Sequence, residues 1–460
     1  MVYPDIPSGI SKTEAIAEVL MKKESKKVIS NVKWVVVCKA AQSILQLVIG
    51  MLSARYLGPA NYGLINYAKS IVAFAVPFMY LGLNATLVKE LIEKPEQEGK
   101  IMGTSLVMGM VSSFVCIVSV FGFVSVANMG EPETILTCLL YSFSMFFQAV
   151  ELIQYWYHSK LKSKYSSIMM LVTYVVVSVY KIYLLIASKS VYWFAVAYSI
   201  EYGMIGISLL LIYRRQGTQK LKFAPALIKP LITRSVPYIW SAMMVTVFQN
   251  TDHVMLKLMC GNTENGYYTA AITCVSVGLF VFTAIIDSMR PVIFSHKKEG
   301  SNEYENTVSK LYCIIIYLTI LQAVGFTLLG ELVLRILYGT EYLTAVPVLR
   351  ILAWYLPFSF MGNIRNVWIL AEEKQSCLWK INLLGAIMNV VINSALIPVW
   401  GATGAAVASL LTQVITNYLL GFVYKPIREN NVLLLKGLNP IFLVNMLVDL
   451  KETKSIKKRK

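Results

Sequence analysis

Twelve long apolar runs, parted by short polar stretches, set the pattern of this 460-residue chain. They cover residues 32–54, 62–82, 101–126, 136–157, 167–187, 191–213, 235–258, 267–289, 310–331, 345–367, 377–398 and 402–424. A helix needs about 20 mainly apolar residues to cross a hydrocarbon layer, and each run supplies them. The runs are continuous and do not alternate with period two, which excludes a β-barrel. The pattern predicts an all-α polytopic membrane protein of 12 transmembrane helices. Six fall in 32–213 and six in 235–424, as two pseudo-symmetric bundles.

The polar stretches complete the layout. Residues 1–31 are polar and basic, and Ser11 with Glu14 has capping-box spacing, so a short surface helix is expected from Thr13 to Lys27. Between the halves lies 214–234, with Arg214, Arg215, Lys220, Lys222, Lys229 and Arg234 and no carboxylate. It is too polar for hydrocarbon and reads as a cytoplasmic tether. A basic tail, 425–460, follows the last run. Within it 432–448 holds Lys436 and Pro440 and would carry the terminal basic run outward if it crossed, so it is expected to lie in the interface.

Composition agrees. The chain is 57% hydrophobic and 15% charged, against about 25% charged for a soluble domain, and its mean hydropathy is +0.61. A net charge of +17 would suggest nucleic acid in a soluble protein. Here the cations sit in loops, where they set orientation and meet lipid headgroups, so membrane lipids are the expected partner and nucleic acid is not. With both termini inside, 32 of the 42 Lys and Arg are cytoplasmic, counting Lys310 and Lys380 at the inner ends of their runs, whereas Arg55, Lys189 and Arg335 lie in external loops. A cell membrane protein, plasma or inner, with cytoplasmic termini is expected. The seven cysteines show no disulfide or metal spacing. The first apolar run begins at Val32 after a polar stretch and is too long for a cleavable h-region, so no signal peptide is expected.

An internal echo supports two related halves. Gly58-Pro-Ala-Asn-Tyr-Gly63 follows the first run and Gly261-Asn-Thr-Glu-Asn-Gly266 follows the seventh, with both glycines shifted by 203 residues. Each pair suits a tight external turn. Six helices per half make such repeats parallel, an arrangement transporters use.

Candidate charged residues within the runs are Lys33, Lys39, Lys69, Lys181, Lys257, Arg350 and Arg365, against Glu151, Glu201, Asp252 and Asp287. A charge at mid-membrane costs about 2.5–3.5 kcal/mol on insertion scales, so such groups normally face a wet interior. Polar stripes at helical spacing point the same way: Lys39, Gln42, Gln46 and Ser53; Asn66, Ser70, Pro77 and Asn84; Gln148, Glu151, Tyr155 and His158; Tyr174, Ser178 and Lys181. Together they describe a polar cavity lined by Gln42, Gln46, Asn66, Glu151 and Lys181. Lys33 and Lys257, near run ends, are expected to snorkel to the headgroups, and Lys181 and Arg350 could do likewise. Asp287 can pair with Arg290.

The stretch Ala54-Arg-Tyr-Leu-Gly-Pro-Ala-Asn-Tyr-Gly63, then Gly82-Leu-Asn-Ala85, resembles the Wzx-type polysaccharide flippases of the superfamily that holds the MATE exporters and MurJ flippases. Asp252, Gly266-Tyr-Tyr, Arg290-Pro291, Tyr338-Gly-Thr-Glu-Tyr342 and Val346-Pro-Val-Leu-Arg350 extend the likeness over about 30–425. The resemblance implies a MATE-like fold and alternating access. Its cargo would be a polyprenyl-diphosphate-linked oligosaccharide carried from the cytoplasmic to the outer leaflet, with polysaccharide polymerases and glycosyltransferases as neighbours. Cationic side chains suit a diphosphate, which singles out Lys39, Lys69, Arg350 and Arg365 for the headgroup. A sodium site in MurJ-like relatives implies one here at Asp252, Asn389, Asn393 and Ser409; interhelical hydrogen bonding would explain the same amides. Na⁺ or H⁺ coupling is thus expected, with no catalytic residue. A MATE-type drug or cation antiporter is the rival transporter, though it would favour a cavity rich in acids. A membrane glycosyltransferase or ligase would need a catalytic constellation that the chain lacks.

Overall fold

The computed structural model describes residues 12–217, 219–300, 303–446 and 448. Nearly all the described residues are helical, and none of them forms a strand. In chain order the helices are α1 (Lys12–Met79), α2 (Leu83–Glu93), α3 (Glu98–Ala127), α4 (Pro132–Ser142), α5 (Ser144–Gln148), α6 (Gln154–Ser159), α7 (Ser163–Ile186) and α8 (Val191–Gln216). There follow α9 (Ile228–Cys260), α10 (Asn262–Ser276), α11 (Leu279–Lys298), α12 (Glu303–Leu337), α13 (Val346–Ala371), α14 (Ser376–Val414), α15 (Leu420–Val423) and α16 (Arg428–Leu438).

Ten helices among the described residues are long and apolar enough to cross a membrane. Their surfaces invert those of a soluble protein: Phe114 on α3 is 64% exposed and Leu328 on α12 is 73% exposed, as lipid-facing side chains are. Two of the ten, Val37–Glu93 and Ser376–Val423, each hold two of the expected runs. Each pair of runs is parted by a glycine that leaves the helix, Gly58 (φ 70°) in α1 and Gly401 (φ 54°) in α14. A side chain resists that left-handed backbone, so glycine is what permits the break. Glu264 supports the second break by accepting from the Ala402 amide at 2.7 Å.

Four expectations change. The surface helix at Thr13–Lys27 is not separate, because α1 runs unbroken from Lys12 to Gly58 with no proline in that stretch; Ser11 lies outside the described residues. The eighth run, 267–289, is not one helix: α10 ends at Ser276 and α11 begins after Gly278 (φ 92°). The interfacial helix at 432–448 is instead two pieces parted at Asn439. The first is α16, whose Gly437 lies against Tyr312 and the Ser309 carbonyl of α12.

The fourth concerns the linker, which is a strap and not a free tether. Gln219 accepts from the Gly99 amide at 3.0 Å and donates to the Pro95 and Glu96 carbonyls. Lys222 N donates to Gly99 O at 2.9 Å, and Ala224 N donates to Thr104 Oγ1 at 3.0 Å. A Cβ on Gly99 or Gly103 would stand 2.3 or 2.4 Å from the Lys220 or Lys222 carbonyl, so only glycine lets the strap lie this close to α3. From Ile228 the linker is already α9.

The chain forms two compact units: Met1–Gly50 with Ala75–Ala242, and Met51–Phe74 with Met243–Lys460. The middle of α1 therefore belongs with the C-terminal half. Each unit has its own apolar core. In the first, Leu83, Leu87 and Leu91 of α2 pack with Met102 of α3 and Trp156 and Tyr157 of α6. In the second, α12 and α13 contribute Tyr312, Ile316, Leu349 and Leu352.

Candidate functional site

In the second unit the predicted ion residues converge. Asp252 lies on α9 and is 7% exposed. Its Oδ1 accepts from Asn393 Nδ2 at 2.6 Å, and its Oδ2 accepts from Ser409 Oγ at 2.6 Å and from the Tyr268 hydroxyl at 2.5 Å. Asn393 Nδ2 also donates to Asn389 Oδ1 at 3.1 Å. Helical spacing explains the set, since Asn389 and Asn393 share one face of α14. Tyr268 was not foreseen. Its signal was the Gly266-Tyr-Tyr stretch, in which α10 turns a hydroxyl toward the acid.

The donor chemistry can be tested against a cation. Asn393 Oδ1 is buried and has no hydrogen-bond partner. An amide can be turned end for end without changing its shape. Turned, it would set a third oxygen beside Asp252 Oδ1 and Asn389 Oδ1, the all-oxygen surroundings that hard cations take. No group of three or more His, Cys, Asp and Glu occurs among the described residues, so one carboxylate with neutral oxygens matches a single positive charge.

This cluster is tied to the echoed glycine turns. His253, beside Asp252, has Nδ1 at 2.8 Å from Asn265 Oδ1, and Asn265 Nδ2 donates to the Gly63 carbonyl at 2.8 Å. Helix α10 thus holds the acid through Tyr268 and the Gly63 turn through Asn265.

The four headgroup candidates part company. Arg365 on α13 is 3% exposed. Its Nη1 donates to the Thr416 carbonyl at 2.6 Å, in a π-helical turn at Ile415–Leu419, while its Nε is buried with no partner. No ion pair joins it to a described carboxylate. Arg350 is exposed, and its Nε donates to the Thr327 carbonyl of α12 at 3.1 Å. Lys69 is exposed and within electrostatic reach of His253. Lys39, in the first unit, is exposed and lies near His158. Within the second unit Lys69, Arg350 and Arg365 each have separate partners.

The predicted cavity-lining residues have partners within their own unit. Gln42 donates to the Ser167 carbonyl at 3.4 Å and Gln46 meets the Tyr174 hydroxyl. Asn66 donates to the Tyr62 carbonyl of its own helix at 2.8 Å. Lys181 does not snorkel: its Nζ is 3.4 Å from Glu201 Oε2 and 4.4 Å from the Tyr198 ring centre. Lys257 does not snorkel either, being 5% exposed. Asp287 and Arg290 pair at 2.9 Å.

The broken eighth run is bonded in a way the sequence did not announce. Gln322 Nε2 of α12 donates to the Val275 and Val277 carbonyls at 3.0 and 3.1 Å. Backbone freed at membrane depth must find partners inside the protein, and this side chain supplies one donor group to both.

The family of polysaccharide biosynthesis proteins matches residues 28–297. The chain belongs to that family. Polysaccharide biosynthesis proteins similar over nearly the whole chain include the capsular polysaccharide biosynthesis protein CapF of Staphylococcus aureus. It is 22% identical, over 87% of this chain and 100% of the relative. A putative O-antigen transporter of Escherichia coli is also 22% identical, over 88% of this chain and 97% of its own. Among solved structures, the lipid II flippase MurJ in its inward closed conformation is similar with a TM-score of 0.67 and 15% identity. The match covers 90% of this chain and 92% of MurJ. That likeness shows a shared fold, and the all-α fold expected from the twelve runs is the one found.

Proposed function

We propose that the protein flips a polyprenyl-diphosphate-linked oligosaccharide from the cytoplasmic to the outer leaflet by alternating access. Family membership and relatives named for capsular polysaccharide and O-antigen support this reading. The observation that carries it is Arg365: a guanidinium 3% exposed, given one carbonyl and no described carboxylate. A buried cation needs a counter-charge, and a diphosphate offers one in the bidentate geometry arginine prefers. Lys69, in the same unit, meets the same anion at a more exposed position, and the isoprenoid tail stays in lipid.

Na⁺ fits Asp252, Asn389, Asn393 and Ser409, with Tyr268 closing the shell. The ion would neutralise a buried carboxylate and fix three helices, while Asn393 turns its oxygen inward. An anion moving outward is favoured by a negative-inside potential, by about 2.3 kcal/mol per charge per 100 mV. Ion binding therefore serves to reset the carrier rather than to drive the load.

The test is flipping of a fluorescent lipid-linked oligosaccharide in proteoliposomes, with gel filtration to confirm folding. Lys69→Glu and Arg365→Gln should each abolish flipping in folded protein. Normal rates in both would overturn the assignment. Surrounding genes for glycosyltransferases and a polymerase would further support oligosaccharide over drug as cargo.

A further inference from the structure

The first unit holds an acid that this transport scheme leaves without a task. The fourth run is irregular, with α4, α5 and α6 joined through a 3₁₀ turn at Ala149–Ile153. Such a turn within a helix often marks a hinge. It sits in space left by two glycines. A Cβ on Gly109 of α3 would be 3.2 Å from Leu152 Cδ1, and one on Gly206 of α8 would be 3.1 Å from Val150 Cβ. Glu151 projects from this turn and is partly buried.

Its oxygens have two partners. The Tyr80 hydroxyl donates to Oε2 at 3.3 Å, and Gln154 Nε2 donates to Oε1 at 3.1 Å. Tyr80 directly precedes Leu81 (φ 52°) and Gly82 (φ 68°), where the second run breaks before α2. The other titratable groups facing the acid are Tyr155 on α6, Tyr174 on α7, and Glu201 and Tyr202 on α8. The cation of this neighbourhood, Lys181, is committed to Glu201. Among the described residues no ion pair reaches Glu151.

A carboxylate held largely out of water with no ion-pair partner is stabilised by a counter-ion or a proton. Its hydrogen-bond and electrostatic partners among the described residues are phenols, an amide and a second acid, the last already paired with Lys181. We propose that Glu151 is a proton-binding site of the first unit, distinct from the oxygen cluster at Asp252. Its protonation governs the hold of Tyr80 on the Leu81–Gly82 break. Ionised, the acid takes a charge-assisted bond from Tyr80; protonated, it offers a neutral and weaker one. The bond therefore slackens on proton uptake, where the chain already departs from helix. This proposal does not depend on which lipid is carried.

Infrared difference spectra between two pH values, taken on the full chain in phosphatidylglycerol vesicles, test it directly. The wild type should show a protonated-carboxyl C=O band that grows as pH falls. Glu151→Gln should lose that band, while Glu201→Gln and Asp252→Asn keep it. Tyr80→Phe should keep the band but move it to higher wavenumber, since the carboxyl loses a hydrogen-bond partner. It therefore serves if Glu151→Gln fails to fold. A band unchanged in both variants overturns the proposal. A Glu151 signal that follows Na⁺ at fixed pH, and not the proton, overturns it too.

Discussion

Gly63 and Gly266 interlock. A Cβ on Gly63 would stand 1.8 Å from the Asn262 carbonyl and 2.7 Å from Gly266 N, and one on Gly266 would stand 2.0 Å from the Pro59 carbonyl. The glycines that echo each other 203 residues apart are therefore in contact, each filling the gap the other leaves. Backbone cannot retreat as a side chain can, so no side chain fits here without separating the turns.

From this contact, Gly63→Ala or Gly266→Ala should cost on the order of 3 kcal/mol, the scale of severe overpacking. Gly122→Ala, with nothing within 4 Å, should stay within about 1 kcal/mol of wild type. Denaturant unfolding in detergent micelles compares the three; equal stability would show that the turns part freely.

The Asp252 cluster predicts a specific salt response. A ligand at 100 times its Kd stabilises by about 2.7 kcal/mol. NaCl should therefore raise the melting temperature of wild type above that in choline chloride. Asp252→Asn and Asn393→Leu should abolish the difference. A response surviving in both would place the ion elsewhere.

Gln322→Leu should destabilise the protein by about 1–3 kcal/mol for each carbonyl it deserts. Hydrogen exchange followed by mass spectrometry should then show faster exchange around 274–281. Exchange confined to its wild-type rate would mean that water or lipid headgroups satisfy the break.

Arg350 and Arg365 should behave differently although the sequence made them alike. Arg350→Gln loses one exposed bond to Thr327, costs about 1 kcal/mol or less and leaves flipping intact. Arg365→Gln should remove flipping. Initial rates in proteoliposomes decide between them, and equal loss in both would return Arg350 to the headgroup set.

How far the chain announced all this depends on the scale of the contact. Asp252, Asn389, Asn393 and Ser409 were legible through the family resemblance, which implied an ion site there, and through the i, i+4 spacing of Asn389 and Asn393 on one helix face. Tyr268 escaped, since its hydroxyl reaches the acid only through the packing of α10 beside α9, which its own sequence neighbours do not announce. The strap escaped as well: its charges suggested solvent, while the relevant signal was Gly99 and Gly103, four residues apart on α3, a spacing that admits close backbone approach. Lys181 with Glu201 could not be paired from sequence, because both lie in apolar runs with several acids in reach. The break at Gly278, inside the run 267–289, shows how weakly a single glycine inside a helical pattern speaks. Only the tertiary partner, such as Gln322, reveals that the helix stops there.

The interrupted eighth run bears on biogenesis. Helix α10 has 15 residues, about 22 Å at 1.5 Å per residue, well short of the roughly 30 Å it would have to bridge. As it leaves the ribosome it has no donor for the Val275 and Val277 carbonyls, because Gln322 is synthesised more than forty residues later. Stable lodging of this hairpin in the bilayer must therefore wait for α12, which makes the C-terminal half an assembly completed out of order rather than threaded helix by helix.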